Sequence, residues 1–527
     1  MKGKIEVNIR ELIEYNSKHY PNKIYLFFED QEISYRDFND NINRIANVLL
    51  NLGIKRGDKV CLMQFNSPEF LYSWFAINKI GGVMTPINTA FKDDEVKYIL
   101  THSQAKCIIY DPNFEEIINK VRDECEFLKD LICTERSFAP SVIHLAEMMK
   151  NSSTSLGDVK IDDDDDAIYV YTSGTTGLPK GVMLSHRCWI LTGQSFAYTI
   201  GLKSEDRIMT PNPLFHANAQ AYSTMGSLSV GASLVLIKKF SASRTWDQTR
   251  KYNTKKLVLV GAMTPMLWNQ PEKDSDSGNP VETLVAGFVP KEYFGDFEKR
   301  FGVKVQTVFS LTECAMCIMG PREGVGVRKI GGVGVPMQHP DRNIKNVVKI
   351  VDKIGNNVSP NTPGEIIVRN PAIMKGYFRD PEATEKTLKD GWVFTGDSGY
   401  MDEDGYFFFV AREKDIIRKK GENISAVELE NIITKHPRIA EAAVIAVPSN
   451  LGHGEDEIKA YVVPSSKDLK AEEVITWCTE RLAPFKVPRY IELRENLPKT
   501  ATGRVKKDIL KKEKRNLAEG SYDKEVK

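Results

Sequence analysis

The sequence lacks a charge imbalance. Its 72 lysines and arginines meet 71 aspartates and glutamates, a formal net charge of +1, so it carries no field that would gather nucleic acid or an anionic membrane surface. It lacks any apolar run of membrane-spanning length. Its opening residues, Met1-Lys2-Gly3-Lys4-Ile5-Glu6, show no apolar signal region. Together these absences predict a cytoplasmic protein with no membrane span. Patterned cysteines are missing too. The eight, Cys61, Cys107, Cys125, Cys133, Cys188, Cys314, Cys317 and Cys478, are scattered, as in a reducing compartment. Cys314 and Cys317 form a lone Cys-x-x-Cys with no second pair, and are expected to be packing thiols rather than a zinc site. Finally, no Gly-x-x-x-x-Gly-Lys-Ser/Thr loop occurs, which excludes a Walker-type NTPase.

What is present centres on Tyr171-Thr172-Ser173-Gly174-Thr175-Thr176-Gly177-Leu178-Pro179-Lys180-Gly181. It follows a short apolar run, Ala167–Val170, that reads as the end of a buried strand. Glycines let the backbone turn tightly and approach a ligand. Hydroxyls, free N–H groups and one lysine suit phosphate oxygens. The stretch is therefore expected to hold a polyphosphate.

At 527 residues, 41% apolar and 27% charged, the chain is ordinary for a globular protein and too long for one core. Helical and strand patterns alternate through the first 110 residues and again over 227–260, which predicts α/β layers built on parallel sheets. Residues 111–160 carry no sharp motif. Asp162–Asp166 reads as a solvated acidic loop. Residues 331–406 change to short strands with Gly, Pro and Asn turns, an antiparallel β subdomain. Beyond it a compact α+β pattern begins. The expected fold is α/β: a large N-terminal domain of two α/β layers plus a β subdomain, and a small mobile α+β C-terminal domain. The expected boundaries are 1–411, a hinge at 412–414, 415–515, and a polar, disordered tail at 516–527.

The phosphate loop, Thr312-Glu313, Thr395-Gly396-Asp397, the Arg412–Asn423 stretch and Leu497-Pro498-Lys499-Thr500-Ala501-Thr502-Gly503 occur in that order. With them the chain resembles the adenylate-forming superfamily of acyl-CoA synthetases, peptide-synthetase adenylation domains and firefly-type luciferases, over nearly its whole length. Phrases such as Pro68-Glu69-Phe70 and Lys419-Lys420-Gly421-Glu422-Asn423-Ile424-Ser425 look most like fatty-acyl and crotonobetaine/carnitine–CoA ligases. The resemblance implies a ligase using ATP, Mg2+ and coenzyme A. A carboxylate attacks the α-phosphate to give acyl-AMP and pyrophosphate, and a thiol then displaces AMP.

Residue roles follow from the same resemblance. It assigns Glu313, with Thr176 nearby, to magnesium. Thr172, Ser173, Gly174, Thr175, Thr176, Gly177 and Lys180 would hold the phosphates. Asp397 would accept the ribose hydroxyls, and Arg412 would reach the ribose or a phosphate. Phe309 would stack on adenine, with Ala286, Gly287 and Phe288 opposite, and Ser310, Leu311, Thr312 and Phe409 would complete the nucleotide site. His216 would lie by the acid's carboxylate. Lys414 falls at the hinge, Gly421 would face the pantetheine tunnel, and Arg418 would enter for thioester formation.

One departure stands out. The family's adenylation lysine position holds Arg504, in Gly503-Arg504-Val505-Lys506-Lys507. Arginine keeps the charge but changes reach and geometry. Three readings stay open: Arg504 acts, Lys506 substitutes by a small shift of the loop, or adenylation is slow. Phe309-Ser310 replaces the usual Tyr-Gly, and Ala286-Gly287 the usual paired glycines, changes expected to retune the pocket. Three functions therefore stand side by side: an acyl-CoA ligase, a stand-alone enzyme loading a carrier protein, and a weakly active nucleotide-binding relative. For the acid, His216-Ala217-Asn218-Ala219-Gln220-Ala221 contains no carboxylate to hold an amino group, which favours a fatty, branched or aryl acid over an amino acid.

Overall fold

The computed structural model describes residues 8–135, 142–172, 178–261, 263–287, 289, 291, 293–412, 416–420, 422–449, 456–466, 468–498, 505, 507–513 and 519–526. They fall into two compact units. The larger holds the residues up to Thr89, Lys97–Tyr171 and Gly181–Ala411; the smaller holds Ala90–Val96, Thr172–Lys180 and the residues from Arg412 onward.

The larger unit is built on two mostly parallel sheets. The first has eight strands, in the order Gly376–Tyr377, Lys180–Ser185, Asp166–Thr172, Val83–Pro86, Lys59–Met63, Cys107–Tyr110, Asp130–Cys133 and Ile143–His144. The second has nine, in the order Val335–Pro336, Cys314–Met319, Lys304–Leu311, Thr283–Ala286, Lys256–Leu259, Arg207–Thr210, Ser233–Leu236, Ile24–Phe28 and Gln31–Ser34. The N-terminal hairpin thus joins the second sheet, Leu26 pairing with Leu234 in parallel. One buried cluster takes in Leu62, Ile109 and Ile168 from the first sheet and Leu26, Leu234 and Val258 from the second. It also takes in the apolar faces of the helices Tyr35–Asn51, Pro68–Lys79 and His186–Ile200, so those helices and both sheets share a core. Each of these helices starts the same way. Ser34, Ser67 and Ser185 accept the amides of Asp37, Phe70 and Cys188, satisfying a donor that the helix itself leaves unpaired.

A third, five-stranded antiparallel sheet joins Val347–Val351, Gly364–Arg369, Trp392–Met401 and Leu388–Lys389, with Phe407–Arg412 also paired to Trp392–Met401. It is the β subdomain expected from the Gly- and Asn-rich texture. The smaller unit carries a four-stranded sheet, Ile439–Pro448, Asp456–Pro464, Tyr490–Leu493 and Tyr522–Asp523, with the helices Ala426–Thr434 and Ala471–Arg481. The α/β class with a small α+β unit is as the sequence implies.

Four features differ from the sequence reading. Residues 111–160 contribute the last two strands at one end of the first sheet, Asp130–Cys133 and, at the edge, Ile143–His144. Both are too short to show a period. Lys180–Ser185 is a strand where the sequence passes straight from loop to helix. The acidic run is not merely solvated. Arg56 Nη2 contacts Asp162 Oδ2 at 2.6 Å and Asp165 Oδ1 at 2.5 Å, Arg187 Nε donates to Asp163 Oδ2 at 2.6 Å, and Lys375 pairs with Asp166 at 2.8 Å. Those cations come from other elements, which local sequence cannot reveal. Lastly, the C-terminal segment is tied down. Tyr522–Asp523 pairs with Tyr490 and Ile491, and Arg489 contacts Asp523 at 3.0 Å and Glu525 at 2.8 Å. Its polarity reflects ion pairs rather than disorder.

Candidate active site

In the second sheet Arg207–Thr210, Lys256–Leu259, Thr283–Ala286 and Lys304–Leu311 run parallel. Their carboxyl ends therefore open on one edge, where ligands of open α/β sheets bind. His216 follows the first of these strands and Gly287 the third; Ser310 and Leu311 end the fourth, and Thr312 and Glu313 follow it. The strand ends are close. A methyl built on Gly287 would lie 3.6 Å from the Gly261 nitrogen, an ordinary contact.

Glu313 owes its position to a hairpin. Lys304–Leu311 turns directly into Cys314–Met319, with Leu311 opposite Cys314 and a register shift between Phe309 and Leu311. Thr312 and Glu313 form the two-residue turn. The half-buried Glu313 is held twice: its carbonyl accepts the Met374 amide at 2.9 Å, and Oε1 accepts the Tyr377 hydroxyl at 2.8 Å. Burial first, then the charge of Glu313, push the Tyr377 phenol far above its ordinary value, so it stays a donor. Among the described residues no partner takes Glu313 Oε2. A carboxylate of this kind suits Mg2+, which keeps several waters and takes its other ligands from substrate phosphates. Among the described residues no cluster of three or more His, Cys, Asp or Glu forms a ready-made cage.

Asp397 is positioned by a bulge. The pairing of Gly364–Arg369 with Trp392–Met401 slips between Glu365 and Ile367, so Thr395-Gly396-Asp397 is displaced from regular register. Gly396 sits at φ +68°, a left-handed conformation that glycine adopts without cost. Its amide donates to Glu365 Oε1 at 2.8 Å, and Thr395 Oγ1 donates to the Ile366 carbonyl at 2.7 Å. Asp397 ends 1% exposed. The rings of Phe309 and Phe409, both expected at the nucleotide, lie 5.9 Å apart.

His216 is half-buried on the turn after Arg207–Thr210. Its Nδ1 accepts the Asn218 amide at 3.3 Å, which leaves the proton of the neutral ring on Nε2. Asn218 Oδ1 in turn accepts from Asn212 Nδ2 at 2.7 Å, and Asn212 Oδ1 accepts the Val260 amide at 3.2 Å. The chain then enters a π-helical segment, Ala219–Thr224. Its Tyr222 donates to the Ala315 carbonyl at 2.8 Å and stacks on Phe196 at 4.7 Å. Tyr222 thus links the His216 segment to the Glu313 hairpin. Cys314 and Cys317 are buried on that hairpin, as packing thiols are.

Other expected residues are not brought into this picture. Thr172 ends one strand and Lys180 begins the next, flanking the glycine loop. Ser173, Gly174, Thr175, Thr176, Gly177, Phe288, Lys414, Gly421, Arg504 and Lys506 lie outside the described residues. Arg412 ends the strand Phe407–Arg412. Arg418 is exposed on the hairpin of Ile416–Lys419 with Glu422–Ser425, its amide donating to Asp456 Oδ2 at 2.9 Å. Sequence reasoning gave no role to Tyr377 or Asn212, and reached Asn218 and Tyr222 only as members of the expected acid pocket, His216–Tyr222. Lys375-Gly376-Tyr377 left a signal, a glycine–aromatic pair inside a strand-like texture.

The family described as AMP-binding enzyme matches residues 13–378, and the AMP-binding enzyme C-terminal domain matches residues 428–504. The chain is 35% identical over 518 residues to the crotonobetaine/carnitine–CoA ligase of Salmonella agona strain SL483, covering 96% of this chain and 99% of that protein. Among solved structures it resembles a double mutant of o-succinylbenzoate CoA synthetase from Bacillus subtilis bound to a product analogue. That match has TM-score 0.82 and 25% identity, and covers 95% of this chain and 98% of that one. It also resembles a Mycobacterium tuberculosis fatty acyl CoA synthetase, with TM-score 0.71 and 28% identity over 96% of this chain and 98% of that one.

Proposed function

Because this chain belongs to the AMP-binding enzyme family and is an AMP-forming acyl-CoA ligase, we propose that its chemistry is organised around the hairpin of Lys304–Leu311 with Cys314–Met319. That hairpin is the observation that carries the assignment. It presents Phe309, Ser310 and Glu313 at the carboxyl edge of the parallel sheet, and Tyr222 ties it to the His216 segment.

In this reading adenine lies against Phe309 and Gly287, and Asp397 accepts the ribose hydroxyls. His216 donates from Nε2 to the acid, holding its carboxylate for in-line attack on the α-phosphorus. The carboxylate oxygen forms a bond to phosphorus as the bond to pyrophosphate breaks, giving acyl-AMP. The thiol sulfur of coenzyme A, having lost its proton, then attacks the acyl carbon, and AMP leaves with the carboxyl oxygen that was bonded to phosphorus. Bound Mg2+ supplies charge neutralisation for the phosphates. Glu313 Oε2 and Thr176 are the residues we assign to hold it. Thr172 to Gly177, with Lys180, cradle the phosphates, and Arg504 or Lys506 meets the charge that develops on them.

The acid we favour is fatty, branched or aryl. Among the described residues from Asn212 to Tyr222 there is no carboxylate, and Phe196 and Tyr222, with Met316 on the hairpin itself, are buried. Pyrophosphate release over a panel of acids tests the function. Release with apolar acids, followed by turnover with coenzyme A but not with carrier proteins, supports it. No release with any acid favours a weakly active nucleotide-binding relative instead.

A further inference from the structure

We propose that Tyr377 is a positioning residue for Glu313, setting the carboxylate that serves the metal–phosphate step. The inference rests on the role given to Glu313 above.

Its basis is a five-residue strap, Met374–Phe378, that grips two parts of the site at once. Towards the hairpin, the Met374 amide donates to the Glu313 carbonyl at 2.9 Å and the Tyr377 hydroxyl donates to Glu313 Oε1 at 2.8 Å. Towards the phosphate loop, Gly376 and Tyr377 pair antiparallel with Met183 and Val182. The amides of Lys375 and Phe378 donate to Met183 and Gly181 at 2.9 and 2.8 Å. Those residues belong to the strand that leaves the glycine loop. One segment therefore fixes both the backbone and the side chain of Glu313 relative to the loop's exit.

The strap is itself held. The Tyr377 amide donates to Thr384 Oγ1 at 2.8 Å, and Thr384 Oγ1 donates to the Asp380 carbonyl at 2.8 Å. Gly376 sits at φ +145°, and a Cβ there would lie 2.7 Å from the Thr384 methyl, so only glycine lets the strap pass this close. Tyr377 is 8% exposed. Packing alone would be served equally by phenylalanine. The hydroxyl adds a directed donor to one of the two oxygens of a carboxylate. That fixes the side-chain rotamer through Oε1, with no partner on Oε2 among the described residues, as outer-shell partners do for metal ligands.

The test is a double-mutant cycle between Tyr377→Phe and Glu313→Gln. It is read as Mn2+ affinity in the presence of ATP by electron spin resonance, and as kcat and KM for pyrophosphate release. Tyr377→Phe is expected to weaken Mn2+ binding and lower kcat by roughly 10–100-fold, with KM for the acid unchanged and cooperative unfolding retained. In the Glu313→Gln background the further loss in Mn2+ affinity should shrink to within about twofold. The inference is overturned if Tyr377→Phe stays within about twofold of wild type on both readouts, if its loss is the same in both backgrounds, or if it abolishes the fold. Glu313→Gln alone separates the layers. If it leaves Mn2+ binding and turnover intact, the role of Glu313 fails and the inference with it. If it is crippled while Tyr377→Phe is not, only the inference fails.

Discussion

The carboxylate of Glu365 accepts the backbone N–H of Gly396 at 2.8 Å, one residue before Asp397. The bond stabilises the bulge that carries Asp397 out of strand register and into a site where it is 1% exposed. A buried carboxylate that accepts two hydroxyls gains about 1.5–3 kcal/mol per charge-assisted bond. Asp397→Asn is expected to raise KM for ATP by about 10–100-fold, the same range expressed as a ratio, and to weaken AMP binding in calorimetry to match. KM for the acid should stay near its wild-type value. Glu365→Ala, which loosens the bulge without touching nucleotide, should give a smaller loss in the same parameter.

His216 is predicted to act on the acid alone. Its Nδ1 is engaged by the Asn218 amide, so Nε2 is the ring nitrogen left to donate. His216→Ala should cut kcat/KM for the acid by about 10–100-fold, the worth of one hydrogen bond to a charged group, and leave KM for ATP unchanged. Steady-state kinetics with each substrate varied in turn checks this. Equal losses for both substrates would move His216 away from the carboxylate.

The contrast between Glu313 and Tyr377 shows what was legible in the sequence. Glu313 follows an apolar run that reads as a strand, and its neighbours form a recognisable phrase, so its placement at a strand end was within reach. Tyr377 lies 64 residues further along and meets Glu313 only through the tertiary fold. Capped helices were legible because the cap is local: Asn8 and Ser34 each announce their helix. The α/β order was legible for the same reason. What stayed hidden was set at a distance. The N-terminal hairpin joins a sheet whose other strands begin beyond residue 200. The acidic run is neutralised by Arg56, Arg187 and Lys375, and Tyr522–Asp523 completes a sheet that its own polarity conceals. The π-helical segment at Ala219–Thr224 has no local signature at all.

The buried imidazole of His186 predicts an acid-sensitive stability. It is fully buried, and its Nδ1 accepts the Ile9 amide at 3.3 Å. Burial pulls it from 6.5 down to about 4, although Asp165, Asp166 and Asp163 oppose the shift. Its folded value is thus below its unfolded one. The unfolded chain binds the extra proton between those values, so the contribution is complete above pH 6.5 and is lost as pH falls toward 4. The loss is about 2 kcal/mol by pH 5 and about 3 kcal/mol in full. Urea unfolding at pH 8 and pH 5 should show wild type losing about 2 kcal/mol more than His186→Gln between the two. Equal losses would contradict the assignment.

Arg504 occupies the place where the resemblance implies an adenylating lysine. If Arg504 and Lys506 share that task, Arg504→Lys should change the rate of pyrophosphate release by less than about tenfold. The double variant Arg504→Ala, Lys506→Ala should lose about 100–1,000-fold, the usual cost of removing a preorganised donor. Thioester formation from preformed acyl-AMP should be spared in both. A large gain in Arg504→Lys would mean that the natural arginine limits the first half-reaction.

The roles proposed for Glu313, Asp397 and His216 all require acyl-AMP to form at the carboxyl edge of the nine-stranded sheet, beside the Glu313 hairpin. A crystal structure with a non-hydrolysable acyl-AMP analogue tests it most directly. Adenine is expected against Phe309 and Gly287, both ribose hydroxyls on Asp397, and the acyl carbonyl beside His216 Nε2 with its tail toward Tyr222. An analogue bound elsewhere, or bound with Asp397 and His216 both out of contact, would contradict it.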